Sequence, residues 1–396
     1  MKIAVQFGAG NIGRGFIADL LKRSGYKIVF VESNKELVDA LNKRGNYPLK
    51  LFQKDGNIKD LIIDDFYVLS SSEEEKIAQY VSQGEVIFTA VGVKNLSDIA
   101  LPISQGLKKR FYKNPSPLNI FICENSKSAP EILKKEIFKY LNQEEKNFVE
   151  KKVGFVLTSV ARMVAGSGER YGYEDPLLIV TEEYNLLPFD LRALKGNIPP
   201  ILGLKPSGNF ELEIDKKLFI HNLGHSALAY FGYLKGYKFI HESIKDKEVR
   251  EVFDGVIKEV SQALFLKHKD IDKREYKEYL EDLIKRFENS LLMDPITRVA
   301  RDPIRKLDPS DRIIGGARLC LSQGIFPENI AFICASVFFY DYPEDKEAKI
   351  LQEKIKESRI DYVLMEICGL SLEEDFTKKV IFYYEEINKN LKGVML

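Results

Sequence analysis

The chain has 396 residues with 59 basic and 59 acidic side chains, four His, no Trp and 45% hydrophobic residues. That balance supports a large packed core and excludes a disordered or fibrous chain, while zero formal net charge argues against a nucleic-acid partner, which favours a basic excess. The length predicts two domains, because single hydrophobic cores stop growing near roughly 250–300 residues.

The N-terminal MKIAVQFGAGNIGRG meets glycine and arginine too early for a signal peptide, and no apolar run reaches the roughly 18 residues of a membrane span. Short β-branched runs predict strands at Lys2–Phe7, Lys27–Glu32, Val86–Ala90 and Asn119–Cys123, and helical spacing predicts helices at Ile12–Ser24 and Lys35–Lys43. Strands alternating with helices imply a parallel α/β sheet. Asn46–Asp65 has β character and is expected to be an insertion, and Val153–Arg162 and Pro176–Glu182 are apolar segments expected to extend the sheet. A Pro-, Gly- and Leu-rich stretch, Asn197–Gly208, is expected to connect the domains. Beyond it, Leu218–Leu234, Lys247–Leu266, Arg274–Phe287, Pro303–Leu307, Asp311–Gln323, Ile330–Tyr340, Glu344–Arg359 and Leu372–Leu391 carry apolar residues at helical spacing. The expected division is an α/β domain over 1–190 and an all-α domain over 191–396. The cysteines, Cys123, Cys320, Cys334 and Cys368, are scattered without a CxxC pair. They predict reduced thiols in a cytoplasmic protein, with neither a disulfide frame nor a zinc site.

Gly8, Gly10 and Gly13 sit in GAGNIG between the first strand and the first helix. In that context glycines serve a tight turn, a close backbone approach to a pyrophosphate and close helix–strand packing, and the helix N-terminus faces phosphate. Gly8, Ala9, Gly10, Asn11, Ile12 and Gly13 are therefore the expected cofactor-binding residues. Glu32 ends the second strand, where a carboxylate accepts from ribose hydroxyls and repels a 2′-phosphate, so NAD is preferred over NADP. Arg14 and Lys35 are the residues that would favour NADP. Ala90 and Val91, in a Thr-Ala-Val-Gly run ending another strand, are expected near the nicotinamide half; an ordinary turn is the other reading.

In the second domain KKLFIHNLGHS spaces Lys217, Asn222 and His225 as K-x4-N-x2-H. On an ideal α-helix these positions fall at about 0°, 140° and 80° around the axis. A lysine serves as general base when burial and neighbouring positive charge bring its pKa down. Taken alone, the same residues read as a solvated lysine and a structural histidine.

GAGNIGRGFI, CEN at 123–125, KLFIHNLGH and RVARDPIRKL at 298–307 together resemble the polyol-specific long-chain dehydrogenases, most closely their mannitol-1-phosphate 5-dehydrogenase branch. The resemblance implies an NAD-binding Rossmann-type domain, a helical domain that closes over a sugar alcohol, and hydride transfer without a metal ion. It also implies Lys217 as general base, Asn222 and Asn125 as the amide pair that holds the reacting oxygen, and His225 as an orienting residue. Arg298 and Lys306 resemble the family's substrate-contacting cations. Arg301 is put forward as an additional phosphate ligand, because arginine grips phosphate oxygens in two-pronged fashion. The implied substrate is D-mannitol 1-phosphate, oxidised reversibly to D-fructose 6-phosphate; a free polyol, a hexonate, or a non-catalytic NAD sensor are the competing readings. The resemblance leaves monomer and weak dimer both open. One position departs from the family: Ala161 stands where a Val-Asp-Arg step usually carries its aspartate.

Overall fold

A computed structural model describes residues 2–394. The chain divides after Glu213 into two compact units, each with its own interior. The division falls later than residue 190 because the segment following it still pairs within the first unit. The last two residues of the expected second domain lie outside the described residues.

In the first unit the strands and helices are β1 (Ile3–Phe7), α1 (Ala18–Arg23), β2 (Lys27–Glu32), α2 (Lys35–Arg44), β3 (Asn46–Phe52), β4 (Ile58–Asp64), β5 (Phe66–Ser70), α3 (Glu74–Gln83), β6 (Val86–Thr89), α4 (Leu96–Lys113), β7 (Leu118–Ile122), α5 (Ala129–Phe138), α6 (Gln143–Lys152) and β8 (Val153–Leu157). They are followed by β9 (Val164–Ser167), β10 (Ile179–Glu182), β11 (Leu187–Asp190) and β12 (Leu204–Ser207). Six strands form an all-parallel sheet in the order β5-β2-β1-β6-β7-β8. The order reverses between β1 and β6, and such a reversal opens a crevice at the carboxyl ends of the strands.

Alternation along the strands explains the layers. Ala4, Ile28 and Phe30 join one apolar cluster with Leu20 and Leu21 of α1 and Leu41 of α2. Val5, Val29 and Val31 join the other, with Ile77 of α3, Ile103 of α4, Leu133 of α5 and Phe148 of α6. A sheet covered on both faces requires strands apolar on both sides, as fully buried β6 shows. The helix ends follow local rules: Asn34 Oδ1 accepts from Leu37 N–H at 3.1 Å, and Gly45 ends α2 at φ 72°.

Two expectations change in detail. Val153–Leu157 extends the main sheet as expected, whereas Ile179–Glu182 pairs with β3 and β9 in a separate sheet ordered β4-β3-β10-β9. The supposed connection Asn197–Gly208 contributes β12, which pairs in parallel with β11 and so belongs to the first unit.

The second unit is helical: α7 (Phe210–Asp215, which straddles the division), α8 (Leu223–Leu234), α9 (Ile240–Ser243), α10 (Lys247–Lys267), α11 (Lys273–Glu288), α12 (Ile296–Ala300), α13 (Pro303–Lys306), α14 (Arg312–Ser322), α15 (Glu328–Val337), α16 (Lys346–Glu357), α17 (Ile360–Cys368) and α18 (Asp375–Val394). The nearly all-buried α8 sits within this unit's core. Gly224 lets α10 approach, since a Cβ there would lie 3.0 Å from Phe253 and 3.1 Å from Ile257. Among the described residues no helix is long and apolar enough to cross a membrane.

Candidate active site

The glycine turn lies at the β1/β6 reversal. Gly8 adopts φ 89°, and a Cβ on it would stand 2.4 Å from the carbonyl oxygen of Ala90. A Cβ on Gly13 would stand 2.0 Å from the carbonyl oxygen of Gly8. Both glycines are thus forced by backbone packing. Gly10 differs: it is exposed, and a Cβ there would meet nothing within 4 Å, so the space over the turn is open from its side. The first residues of the helix, Asn11 and Ile12, lead into a π segment, Gly13–Ile17, before α1. Such π turns are rare and often mark functional sites. Open space over Gly10 at a helix N-terminus fits a pyrophosphate, so the turn passes this test for a dinucleotide.

Glu32 closes the turn from β2. Its Oε2 accepts from Ala9 N–H at 2.7 Å, and its Oε1 accepts from the backbone N–H groups of Ser33 at 2.8 Å and Asn34 at 2.9 Å. A carboxylate oxygen has two lone pairs, so these bonds fix the group while leaving acceptor capacity for ribose hydroxyls. Gln6 and Arg14, whose roles the sequence does not reveal, brace the same loop. Gln6 Nε2 donates to the carbonyls of Phe7 at 2.7 Å and Gly8 at 3.1 Å. Arg14 is buried and donates to the carbonyls of Ala9 at 2.6 Å and Leu177 at 3.0 Å, which commits it to structure and not to a 2′-phosphate. Lys35 is exposed at the start of α2.

Ala90 and Val91 follow β6 and are half-buried. Thr89 Oγ1 donates to Glu124 Oε2 at 2.6 Å, and Val91 N–H donates to Glu124 Oε1 at 3.0 Å. Burial pushes the Glu124 carboxyl up, against the pull of these hydrogen bonds. The carboxyl therefore ties the β6 and β7 loops together, and exposed Asn125 follows it directly.

In the second unit, Lys216–Asn222 is a second π segment, placed between α7 and α8. Its backbone bonds span i to i+5, so each residue advances through less angle than in an α-helix. That brings Asn222 closer to the face of Lys217 than the 140° expected from ideal helical spacing. Both residues are half-buried, and His225 is buried one turn on. Asp215 anchors the start of this segment: its Oδ2 lies 2.7 Å from Lys267 Nζ and 2.9 Å from His268 Nε2, at the end of α10. Close packing by α14 secures the other side, since a Cβ on Gly316 would lie 2.8 Å from Leu223.

His225 Nε2 lies 3.1 Å from Asp294 Oδ2, and its ring packs 4.7 Å from that of Phe287. Burial lowers the His225 pKa and the Asp294 carboxylate opposes the shift, leaving a neutral imidazole at pH 7. Burial raises the Asp294 carboxyl, but the His225 hydrogen bond and the Arg298 charge outweigh it and hold the group ionised. His221 is buried too, and its Nδ1 has no hydrogen-bond partner among the described residues. Burial first, and then the positive charges of Arg286, Lys217 and Arg312, drives its pKa well below the usual value.

Comparison with known proteins follows the same two-part division. Sequence models described as the mannitol dehydrogenase Rossmann domain and the mannitol dehydrogenase C-terminal domain match residues 2–202 and 213–388. The chain belongs to the mannitol dehydrogenase family. A mannitol-1-phosphate 5-dehydrogenase of Caldanaerobacter subterraneus subsp. tengcongensis is 36% identical over 388 residues, covering 98% of this chain and 99% of the relative. One from Clostridium acetobutylicum is 36% identical over 387 residues, with the same coverages of 98% and 99%. Among solved structures, D-sorbitol dehydrogenase in substrate-free form shares the fold at TM-score 0.77 and 16% identity, covering 98% of this chain and 93% of that one. Pseudomonas fluorescens mannitol 2-dehydrogenase, solved with NAD and D-mannitol, does so at TM-score 0.71 and 16% identity, covering 99% and 92%.

Around Ala161, where the resemblance led to an expected aspartate, the segment is closed by other groups. Ala161 is buried, and the adjacent Arg162 is structural: its Nη1 donates to Asp19 at 2.8 Å and its Nε to the Glu182 carbonyl at 2.7 Å. Glu182 is buried and its carboxylate accepts from Met163 N–H at 2.5 Å.

The cation-rich segment of the family's C-terminal domain sorts its charges by orientation. Arg298 forks onto Asp294, Nε to Oδ1 and Nη2 to Oδ2, both at 2.6 Å. Arg301 is 67% exposed, with Nε 3.6 Å from Asp302. Asp302 takes a left-handed backbone at φ 60°, its N–H donates to Asp345 at 3.0 Å, and Pro303 opens α13. That kink turns Lys306 inward to 3% exposure. Burial, then the charges of Arg312 and Arg305, brings the Lys306 pKa down to about 7. Asp294 and Arg312 are site residues that sequence reasoning does not single out. Asp294 stands four residues before Arg298, an i,i+4 acid–base spacing that points to their pairing. Among the described residues, no three His, Cys, Asp or Glu side chains are grouped to hold a metal ion.

Proposed function

We propose that this protein oxidises D-mannitol 1-phosphate reversibly to D-fructose 6-phosphate with NAD. The reading is supported by the π segment that carries Lys217 and Asn222, with neutral His225 one turn on and 3.1 Å from Asp294, in a chain that matches mannitol-1-phosphate 5-dehydrogenases along nearly its full length. The Gly8–Gly13 turn and Glu32 would hold the cofactor, with Ala90 and Val91 beside its nicotinamide half. When bound, NAD supplies the acceptor for the hydride released from the carbinol carbon.

Lys217, in its amine form, takes the proton of the reacting hydroxyl; on reversal its ammonium returns that proton to the ketone oxygen. General acid–base catalysis of this kind contributes typically about 10²–10⁴-fold. Asn222 and Asn125 are the amides assigned to the reacting oxygen, where negative charge builds as hydride leaves. Such a preorganised donor is worth roughly 2.7–4 kcal/mol. Neutral His225 lies against the Asp294 carboxylate through Nε2, and its ring nitrogens can exchange hydrogen bonds with a substrate hydroxyl. Arg298 and Lys306 are the substrate-contacting cations. Four buried free thiols suit a reducing cytoplasm.

A substrate panel tests this reading. With NAD, purified protein should form NADH from mannitol 1-phosphate at alkaline pH far faster than from mannitol or altronate. Faster turnover of either unphosphorylated compound would replace the substrate. NAD binding with no turnover of any of them would leave a sensor.

A further inference from the structure

Lys306 is a lysine at 3% exposure that makes no side-chain hydrogen bond or ion pair among the described residues. A lysine so withdrawn from bulk water, with no carboxylate bonded to its ammonium, is costly, and native folds rarely keep one without a task. The charges acting on it are Arg312, Arg305, Asp302 and Asp311. Both carboxylates are already shared. Asp311 accepts from Arg312 Nε and Arg305 Nη1, each at 2.9 Å, and Asp302 lies 3.6 Å from both Arg301 and Arg305. Lys306, Arg305 and Arg312 therefore share two carboxylates, and a positive charge is left over.

Arg312 is placed to use that excess. Its side chain is only 11% exposed, and the bond from Nε to Asp311 fixes the plane of the guanidinium. Neither Nη atom has a hydrogen-bond partner among the described residues, so the outer fork is available. Helix α14, which Arg312 opens, packs on the π segment and the start of α8, since a Cβ on Gly315 would lie 3.3 Å from Phe219 and one on Gly316 2.8 Å from Leu223, and the Arg312 charge acts on His221, His225 and Tyr230.

We propose that Arg312, with Lys306 as a point charge beside it, binds the phosphate of the substrate. The proposal rests on the mannitol 1-phosphate reading and replaces exposed Arg301 as the phosphate ligand. A phosphate monoester carries about −1.5 to −2 charge at pH 7 and offers three acceptor oxygens. A guanidinium fork meets two of them, and an ammonium the third. Binding also gives Lys306 the anion the fold withholds.

The test compares Arg312→Gln, Arg312→Lys and Arg301→Gln with the parent enzyme in two assays. In kinetics with NAD, Arg312→Gln should raise KM for mannitol 1-phosphate by about 100-fold or more, leave kcat within about tenfold, and change kcat/KM for free mannitol much less. Arg312→Lys, which keeps charge but not the fork, should fall between, and Arg301→Gln should shift KM less than about threefold. In thermal melting at constant ionic strength, inorganic phosphate should stabilise the parent and Arg301→Gln but not Arg312→Gln. The proposal is overturned if Arg312→Gln keeps KM within threefold, if it loses mannitol and mannitol 1-phosphate turnover equally, or if phosphate still stabilises it. If Arg312→Gln does not fold, Arg312→Lys decides by the same two measurements. Absence of mannitol 1-phosphate turnover in the parent enzyme would sink the substrate reading alone; absence of phosphate stabilisation in the parent would sink the Arg312 site alone.

Discussion

The glycine turn of the first unit and the lysine-bearing helix of the second are both built around π segments, and both serve the proposed reaction, but they are specified differently. At the turn the fold is satisfied internally: Glu32, Gln6 and Arg14 close hydrogen bonds onto the backbone, and Gly8 and Gly13 are small because carbonyl oxygens occupy the space where a Cβ would go. In the helical cluster the fold is left unsatisfied. Among the described residues, Lys306 is buried without a side-chain hydrogen bond or ion pair, His221 Nδ1 has no hydrogen-bond partner, and Lys306, Arg305 and Arg312 share the carboxylates of Asp302 and Asp311. The proposed cofactor site is thus rigid by its own bonds, whereas the proposed substrate site keeps groups that a charged ligand would complete.

The comparison can be broken most forcefully at Lys217. Lys217→Ala should cut kcat by roughly 10²–10⁴-fold with the NAD dissociation constant unchanged, since the role proposed for it is to move a proton and not to bind cofactor. Single-turnover kinetics and NAD titration check this, and unaltered turnover would remove Lys217 from the chemistry.

Lys306 tests whether the second site is held at a cost. Its pKa is lowered in the fold from 10.5 to about 7, so the unfolded chain binds more protons over that window and stability rises with pH there. Below pH 7 the penalty is fully present. Lys306→Met should therefore stabilise the ligand-free protein at pH 6 by on the order of a few kcal/mol, with the gain shrinking toward pH 10, while substrate affinity is lost. Melting curves at the two pH values decide it; a variant less stable at pH 6 would show that the ammonium is not under strain.

At the turn, Gly13 and Gly10 should separate. Gly13→Ala drives a Cβ against the Gly8 carbonyl and should cost roughly 1–3 kcal/mol of stability as well as NAD affinity. Gly10→Ala should melt within about 0.5 kcal/mol of the parent yet bind NAD roughly tenfold more weakly, because its Cβ enters only the space assigned to pyrophosphate. Equal melting losses for the two variants would mean that both glycines are structural.

The smallest expected effect is at Asp294. Asp294→Asn keeps the shape but removes the charge that opposes burial at His225. A loss of roughly tenfold in kcat/KM is expected, since losing a charge contact worth about 1.4 kcal/mol in the transition state changes a rate tenfold. Retention of full activity would make the His225–Asp294 contact ornamental to catalysis.

Local pattern alone determines a good deal of this protein. Short β-branched runs alternating with helical stretches, together with GAGNIG, specify the parallel sheet and its glycine turn, because those signals arise from residues adjacent in the chain. The K-x4-N-x2-H spacing nominates its three residues for the same reason. What the sequence leaves undecided is which charges turn inward. Arg298, Arg301, Arg305, Lys306 and Arg312 look alike as a run of cations, and only the left-handed kink at Asp302, pinned by Asp345 more than forty residues away, exposes Arg301 and buries Lys306. The π register that draws Asn222 toward Lys217 was likewise invisible, since it accompanies anchoring of Asp215 by His268 and packing of Gly316 on Leu223. Orientation of a side chain is a long-range property: it is decided by which distant carboxylate or helix occupies the neighbouring volume, and no local spacing encodes that.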